Sequence, residues 1–339
     1  MSEQHFPGVL MNLSVLLFAG VSLILVGCTG STGHKSDEKY YLVTANTKLP
    51  YWQSAAAGLS SAARQLDVKA ETVGPEAYDA QAEQAAFRDA VNKGAAGILV
   101  SAADPNLMKG DIDDAIGRGI PVITIDSDSP ASKRLFFIGT NNREVGRMGG
   151  NRAVKELNGK GNVVFYVLPG QENIEERLHG YKDVFEEHPG IKILQTIDVK
   201  GDPTVAFDQT TSLLDKAKDK PDAFICLEAV ACREVADVLD RKKATDKVVI
   251  AMDTDQGTLD WIKKGTIRAT IAQKPYTMTF YGLKALGDLH LNKLPSLDVK
   301  FALQSTSPVP VFVDTGTVLV DKSNVDAFIS AQNEEKTAK

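Results

Sequence analysis

The stretch Gly-Ile-Pro-Val-Ile-Thr-Ile-Asp-Ser-Asp at residues 119–128 decides the fold of this chain. Its continuous run of β-branched residues, 122–125, is typical of a strand buried on both faces, as in a parallel sheet covered by helices. The run ends abruptly at Asp126. Because ligands of open parallel sheets bind beyond the carboxyl ends of the strands, we expect Asp126 to lie at the rim of a cleft.

The same pattern occurs a second time further along the chain. Lys-Val-Val-Ile-Ala-Met-Asp at residues 247–253 closes another apolar strand with Asp253. Each copy follows a further apolar strand, at 97–100 in one case and 223–227 in the other. The sequence therefore predicts two similar halves, each presenting an aspartate, with a cleft that closes on a molecule rich in hydroxyl groups.

Length and composition set the outer bounds. The 339 residues are enough for two domains that each bury a core. The hydrophobic content of 43% and net charge of −6 are ordinary for a globular protein, and the lack of a dense Lys/Arg run argues against a nucleic-acid surface. From residue 39 onward, strand and helix patterns alternate, which predicts α/β units with right-handed crossovers.

The first 38 residues are expected to lie outside the fold. Residues 9–26 are almost wholly apolar and lead into Leu-Val-Gly-Cys, which resembles the bacterial lipobox with its lipid on Cys28. Residues 1–28 are thus predicted to be a lipoprotein signal segment, and 29–38 a flexible tether. The usual positive charge is missing from residues 1–8. A transmembrane anchor stays open as the alternative, and both predict a protein outside the cytoplasm.

The two other cysteines, Cys226 and Cys232, allow two interpretations. A disulfide is permitted in an oxidising compartment, but the sequence does not give its geometry, and we expect two buried thiols. No histidine stands at a suitable spacing from either residue, so a metal site is not predicted.

Four segments in matching order resemble the periplasmic ribose-binding protein family, which supplies solute-binding proteins to ABC sugar importers. They are Thr-Ile-Asp-Ser at 124–127, Glu-Arg-Leu-His-Gly-Tyr at 176–181, Ala-Met-Asp at 251–253 and Ala-Thr-Ile-Ala-Gln at 269–273. The resemblance covers residues 40–320. It implies the α/β fold of the type I periplasmic binding proteins, in which two Rossmann-like lobes with parallel sheets are joined by a three-strand hinge. The implied limits are 39–140 with 274–314 for the N-terminal lobe, 141–273 with 315–325 for the C-terminal lobe, and 326–339 for a polar tail.

The resemblance also implies a set of sugar-binding residues. Tyr51 and Trp52 match an aromatic pair that packs on the sugar ring, since aromatic faces suit its C–H groups. Arg177 matches an arginine whose planar fork spans two oxygens. Whether Asn46 or Lys48 replaces a family asparagine stays open. The full predicted set is Asn46, Tyr51, Trp52, Asp126, Asn142, Arg177, Glu228, Asp253 and Gln273.

Each of these assignments has a structural alternative. The aromatic pair suits the core at a helix start, the aspartates suit helix N-caps, and Arg177 suits a solvated helix face. The chain also departs from the family at Ala102, Ser127 and Glu228, which changes the hydroxyl pattern that the site satisfies. Ribose is therefore not assigned, and a pentose, a hexose or a polyol stays open.

These observations predict a monomeric solute-binding protein that delivers a sugar to an ABC permease and needs no cofactor. A repressor of the same fold would need a basic helix-turn-helix before the first strand, where this chain has an apolar segment. An enzyme would need a nucleophile with its base or a metal cluster, and neither pattern occurs in the sequence. A sugar-sensing protein that presents its ligand to a membrane receptor remains the alternative.

Overall fold

The computed structural model describes residues 33–337 except Ser36 and Ala217. The predicted signal segment and the lipidation residue Cys28 lie outside this described part. Within it, each helix is too short or too polar to cross a membrane.

The first of two six-stranded sheets is parallel throughout, in the order β11-β5-β4-β3-β1-β2. Every residue of β3 and β4 is buried, as expected for central strands covered on both faces. The strands are β1 (Lys39–Val43), β2 (Lys69–Val73), β3 (Gly97–Val100), β4 (Val122–Ile125), β5 (Phe137–Gly139) and β11 (Phe312–Asp314).

The second sheet has the order β12-β10-β9-β8-β6-β7. Four of its strand pairs are parallel, and the edge strand β12 runs antiparallel to β10. Its strands are β6 (Gly161–Val167), β7 (Ile191–Asp198), β8 (Ala223–Cys226), β9 (Val248–Met252), β10 (Ala269–Ala272) and β12 (Val318–Asp321).

Helices cover both sheets, and each sheet has its own hydrophobic core. The first core includes residues of α1 (Pro50–Leu66), α2 (Ala80–Asn92), α3 (Pro105–Gly117) and α9 (Pro275–Leu291). The helices of the second lobe are α4 (Asn142–Glu156), α5 (Glu172–Glu186), α6 (Pro203–Asp215), α7 (Ala231–Lys242), α8 (Gln256–Lys264) and α10 (Val325–Thr337).

The chain passes between the two lobes three times. It leaves the first sheet after β5, returns from β10 into α9, and crosses again between β11 and β12. Two parallel-dominated sheets with flanking helices and three connecting segments confirm the predicted fold class.

Two terminal segments are more ordered than we expected. Residues 326–339 were expected to form a polar tail, but residues 325–337 form α10, whose Val325, Phe328 and Ile329 pack on the second core. Their i, i+3, i+4 spacing is the apolar stripe of a helix. At the other end, Glu38 of the expected tether is buried. It accepts hydrogen bonds from the Lys35 amide and the Tyr40 hydroxyl, at 2.7 and 3.1 Å.

The expectation of two buried thiols is wrong, because Cys226 and Cys232 form a disulfide. Cys226 ends β8 and Cys232 is the second residue of α7, and this tight turn brings their Cα atoms to 5.8 Å. That separation is typical of disulfides. Sequence spacing alone did not reveal how sharply the chain turns here.

Candidate functional site

A cleft of about 630 Å³, counting the space open to solvent, lies between the two lobes. Asp126 follows β4 of the first lobe and Asp253 follows β9 of the second, and both line the cleft. Their φ angles are +60° and +67°, in the left-handed region that aspartate tolerates better than most residues. The same local turn thus brings an aspartate to the cleft from each side.

The Asp126 carboxylate is held by side chains from both lobes. The hydroxyls of Tyr51 and Ser101 donate to it at 2.6 and 3.3 Å, and Nδ2 of Asn173 donates to it across the cleft at 3.2 Å. Because these partners are side chains around a cavity, Asp126 is not the helix N-cap that was its structural alternative.

Asp253 is not an N-cap either. Its Oδ1 accepts a hydrogen bond from Nε2 of Gln273 at 3.0 Å. The N-cap of α8 is Asp255, which accepts from the amides of Gly257 and Thr258. Asp253 therefore presents its carboxylate to the cleft and bonds a residue of its own lobe.

Arg177 lies buried in the cleft wall, with 2% of its surface exposed, so it does not belong to a solvated helix face. Its Nε donates to Oδ1 of Asn142 at 2.8 Å, Nη1 to the Leu227 carbonyl at 2.7 Å, and Nη2 to Oε1 of Gln273 at 3.0 Å. A guanidinium has five N–H groups. These bonds fix its plane and leave two N–H groups for a ligand.

Two predicted ligand residues play supporting parts in this network. Asn142 is buried and accepts from Arg177, but it does not line the main cleft. Gln273 lines the cleft and joins both lobes, because its Oε1 also accepts from the hydroxyl of Thr140 at 2.9 Å. We expected Asn142 to reach the cleft. Its position behind Arg177 indicates that it orients the arginine side chain instead.

Glu228 lines the cleft but already has partners for both oxygens. One accepts from the Val230 amide and the other from the Ala231 amide at 2.9 Å, which caps the start of α7. Each carboxylate oxygen has a second lone pair that can still accept from a ligand.

The aromatic pair lies at the start of α1 and combines both interpretations. Trp52 is 8% exposed and belongs to the first core, yet Tyr51 and Trp52 both line the cleft. Their rings meet edge to face at 81°, with centroids 5.1 Å apart, so they do not form two parallel walls. Asn46 also lines the cleft and accepts from the Lys48 and Leu49 amides, whereas the Lys48 ammonium pairs with Glu76 at the surface.

Sequence reasoning missed several residues that line the cleft, of which Asn173 is the most informative. It is 4% exposed, bonds Asp126 through Nδ2, and its Oδ1 has no partner within the described residues. A further bond between the lobes runs from Nε2 of Gln171 to the hydroxyl of Tyr78 at 3.4 Å. No motif marks these residues, because their relevance depends on how the lobes meet.

The electrostatics of the cleft are those of three carboxyl groups around one guanidinium. Burial raises the pKa of Glu228 to about 7 and that of Asp253 to about 6, and it also raises the pKa of Asp126. Arg177 opposes all three shifts by favouring the charged forms. Within the described part of the chain, no cluster of His, Cys, Asp and Glu is suited to a metal ion. The cleft instead offers acceptors on both sides, fixed donors on one side, and an aromatic wall.

Comparison with known proteins identifies relatives that are sugar-binding proteins. The family model described as "Periplasmic binding protein domain" matches residues 40–293. The xylose/arabinose-binding protein XylF of Sulfolobus acidocaldarius is 26% identical over 317 residues, which cover 88% of this chain and 74% of XylF. The ribose import binding protein RbsB of Bacillus subtilis is 23% identical over 285 residues, covering 83% of this chain and 92% of RbsB.

Solved structures share the fold over nearly their whole length. The sugar-binding protein of a Bacillus halodurans sugar ABC transporter superposes with a TM-score of 0.73 at 33% identity, covering 86% of this chain and 99% of that protein. AraP, an arabinose-binding protein of Geobacillus stearothermophilus, gives a TM-score of 0.70 at 30% identity with the same coverage. The match of sequence and fold shows that the chain belongs to the periplasmic binding protein family.

Proposed function

We propose that the protein captures a neutral monosaccharide or polyol between its two lobes, outside the cytoplasm, and delivers it to an ABC importer. The main support for this proposal is the arrangement of hydrogen-bonding groups in the cleft. Asp126 and Asp253 face it from opposite lobes, and Arg177 has two N–H groups left for a ligand. A polyhydroxylated molecule satisfies both sides, since each hydroxyl donates and accepts.

The relatives support this class of ligand. XylF is named as a xylose/arabinose-binding protein and RbsB as a ribose import binding protein, and all three sugars are pentoses. A solute-binding protein of Burkholderia graminis, solved in complex with D-arabinose, is 26% identical with a TM-score of 0.76 and covers 86% of this chain. The matched family consists of binding proteins, which fits a role without catalysis.

The charge of the cleft supports a neutral ligand. Three carboxyl groups surround one guanidinium, so an acidic sugar or a sugar phosphate would add negative charge to a buried and already acidic site. Hydroxyl groups avoid this cost because they donate to carboxylates. A pentose, a hexose and a polyol all meet this condition.

A thermal-shift screen tests the ligand class. The purified protein is melted alone and with pentoses, hexoses and polyols, with amino acids, nucleosides and sugar acids as controls. A ligand at a hundredfold excess over its Kd stabilises by about 2.7 kcal/mol, which gives a clear rise in melting temperature. A rise with an amino acid or nucleoside and none with any sugar or polyol would show that the ligand class is wrong.

Membrane attachment through a lipid on Cys28 is part of the proposal. The Leu-Val-Gly-Cys sequence at 25–28 supports it. Cys28→Ser should release the protein from the membrane fraction, and mass spectrometry should find lipid on the wild type alone. Unchanged membrane association without lipid would favour a transmembrane anchor.

Sugar sensing is the second candidate, and one structural neighbour favours it. The protein described in the XylFII–LytSN complex shares the fold at 25% identity with a TM-score of 0.75, and there it is bound to another protein. The two roles differ in the membrane partner. Sugar uptake in vesicles that contain an ABC permease and its ATPase would support import, whereas sugar-dependent binding to a receptor ectodomain would support sensing.

A further inference from the structure

The Cys226–Cys232 disulfide encloses a short loop that forms part of the cleft wall. The two cysteines stand six positions apart and are almost fully buried. Of the residues between them, Glu228, Ala229 and Val230 line the cleft. The covalent bond therefore closes a ring around residues of the candidate site, between the end of β8 and the start of α7.

The backbone of this loop holds Arg177. The Leu227 carbonyl accepts from Nη1 of Arg177 at 2.7 Å, and the Leu227 amide donates to the Tyr166 carbonyl at 3.0 Å. On the other side of the loop, Glu228 bonds the amides of Val230 and Ala231. The position of the loop thus sets the direction of the arginine donors that face the cleft.

We infer that the Cys226–Cys232 disulfide is a positioning element of the ligand site, which keeps the Leu227 carbonyl in place and thereby aims Arg177 at the ligand. The inference rests on the proposed function. Without the bond, hydrogen bonds alone hold the loop between the two cysteines, and a displaced carbonyl leaves a buried arginine N–H without its acceptor. A ligand would then have to restore this order as it binds, which lowers its affinity.

The bond is poorly placed to act mainly on overall stability. A disulfide stabilises least when it closes a short loop, because such a loop loses little entropy in the unfolded chain. Both cysteines also belong to the second core, which the surrounding apolar residues hold together. We therefore expect a larger effect on binding than on unfolding.

The test compares the full chain with its Cys226→Ala/Cys232→Ala variant, using D-xylose, D-arabinose and D-ribose as probes in isothermal titration calorimetry. Affinity for the sugar that binds best should fall about tenfold in the variant. The matched control is Val238→Ala, which also removes buried volume from α7 but does not line the cleft. It should lower the melting temperature and leave the affinity within twofold of wild type.

A second comparison asks whether the effect passes through Arg177. Arg177→Lys keeps the charge but cannot reproduce the three-armed bonding, so this variant should bind more weakly from the start. Removing the disulfide in the Arg177→Lys background should then cost less than about threefold in affinity. An undiminished tenfold loss there would overturn the positioning role.

Hydrogen exchange of backbone amides provides a third test, which needs no ligand. The amides of residues 227–232 should exchange faster in the alanine pair than in the disulfide-bonded protein, while β9 stays unchanged. Equal exchange together with equal affinity would overturn the inference. If the wild type binds none of the three pentoses, the thermal-shift screen decides whether the proposed function fails, and the exchange of this loop alone decides whether the disulfide positions it.

Discussion

The two lobes present the same residue to the cleft in different ways. Asp126 of the first lobe accepts hydrogen bonds from Tyr51 and Ser101 of its own lobe and from Asn173 of the other. Asp253 of the second lobe accepts from Gln273, a residue of its own lobe. The Asp253 carboxylate is thus held within its own lobe, whereas the Asp126 carboxylate reaches its full set of contacts when the lobes meet.

This difference separates two tasks that a closing protein must perform. Arg177, Gln273 and the disulfide-bonded loop form a network inside the second lobe that can hold a ligand before closure. Asp126 forms part of the contact that brings the lobes together. Changes in the second wall should therefore alter binding and stability together, and changes around Asp126 should also alter closure.

The largest expected effect is that of Arg177→Met. It leaves the Leu227 carbonyl and Oδ1 of Asn142 without this donor, removes one of two donors to Gln273, and removes the positive charge that offsets three buried carboxyl groups. We expect about 3–5 kcal/mol of lost stability in chemical denaturation and at least about a hundredfold weaker sugar binding. Arg147→Met is the control, since that exposed side chain pairs at the surface and should cost under about 1 kcal/mol. Near-normal stability of Arg177→Met would contradict the role of the network.

The aspartates themselves come next. Asp126→Asn and Asp253→Asn should each cost about 1.5–3 kcal/mol of sugar binding, or roughly ten- to a hundredfold, with a double variant that loses less than the sum. Only Asp126→Asn should also open the ligand-free protein in small-angle scattering, because one amide oxygen cannot serve all the donors that face it. Equal scattering of the two single variants would break the comparison between the lobes.

The second wall makes a definite contribution to the pH dependence of stability. Burial raises the pKa of Glu228 to about 7 and of Asp253 to about 6 in the folded state, so both bind protons more readily there than in the unfolded chain. Their contribution to stability is therefore present at low pH and is lost as pH rises through these values. Unfolding free energy should fall by about 1 kcal/mol per pH unit between pH 5 and pH 7. Denaturation across this range should show a smaller slope for Asp253→Asn, and an unchanged slope would contradict the assignment.

Asn173→Leu isolates the contact between the lobes. Leucine has nearly the same size but offers no donor to Asp126, so closure loses one hydrogen bond while the cleft keeps its volume. We expect a loss of about three- to tenfold in sugar affinity, measured by calorimetry, and a more open ligand-free form. The control is Gln171→Ala, which removes the longer bond to Tyr78 and should have the weaker effect. Full closure and full affinity in Asn173→Leu would show that the hydrogen bond between Asn173 and Asp126 does not hold the lobes together.

The smallest expected effect concerns Trp52. Ligand binding should change the fluorescence of the wild type and of Trp261→Phe but not that of Trp52→Phe, because Trp52 lines the cleft and Trp261 packs against the second core. Affinity of Trp52→Phe should fall by under about tenfold, since phenylalanine keeps an aromatic face. A signal that follows Trp261 instead would exclude Trp52 from contact with the ligand.

The fold was predictable from sequence because its signals are local. The buried runs that end in Asp126 and Asp253 indicate central parallel strands, and the structure has such strands at both places. The tail was missed because three apolar positions among polar residues form a stripe only once the chain is helical. The disulfide was missed because it depends on the turn between β8 and α7.

The cleft was predictable to a lesser degree. Eight of the nine residues predicted to bind ligand line it, and Asn142 stands behind Arg177. Asn173 and Gln171 had no signal, because their partners lie more than 45 positions away on the other lobe. Glu228 could not be understood as a helix cap until the start of α7 was known. Pairing across the cleft is a property of the closed arrangement, which local patterns do not encode.

The buried Glu38 has a mechanical consequence for a protein held at a membrane. It links the segment before β1 to the first lobe through the Tyr40 hydroxyl and through His290 of α9 at 3.2 Å, and it contacts His34 of the same segment at 2.8 Å. If Cys28 carries a lipid, the tether joins the membrane anchor to the first lobe, and the second lobe has no attachment of its own. Closure is then a movement of the unattached second lobe towards the attached first lobe.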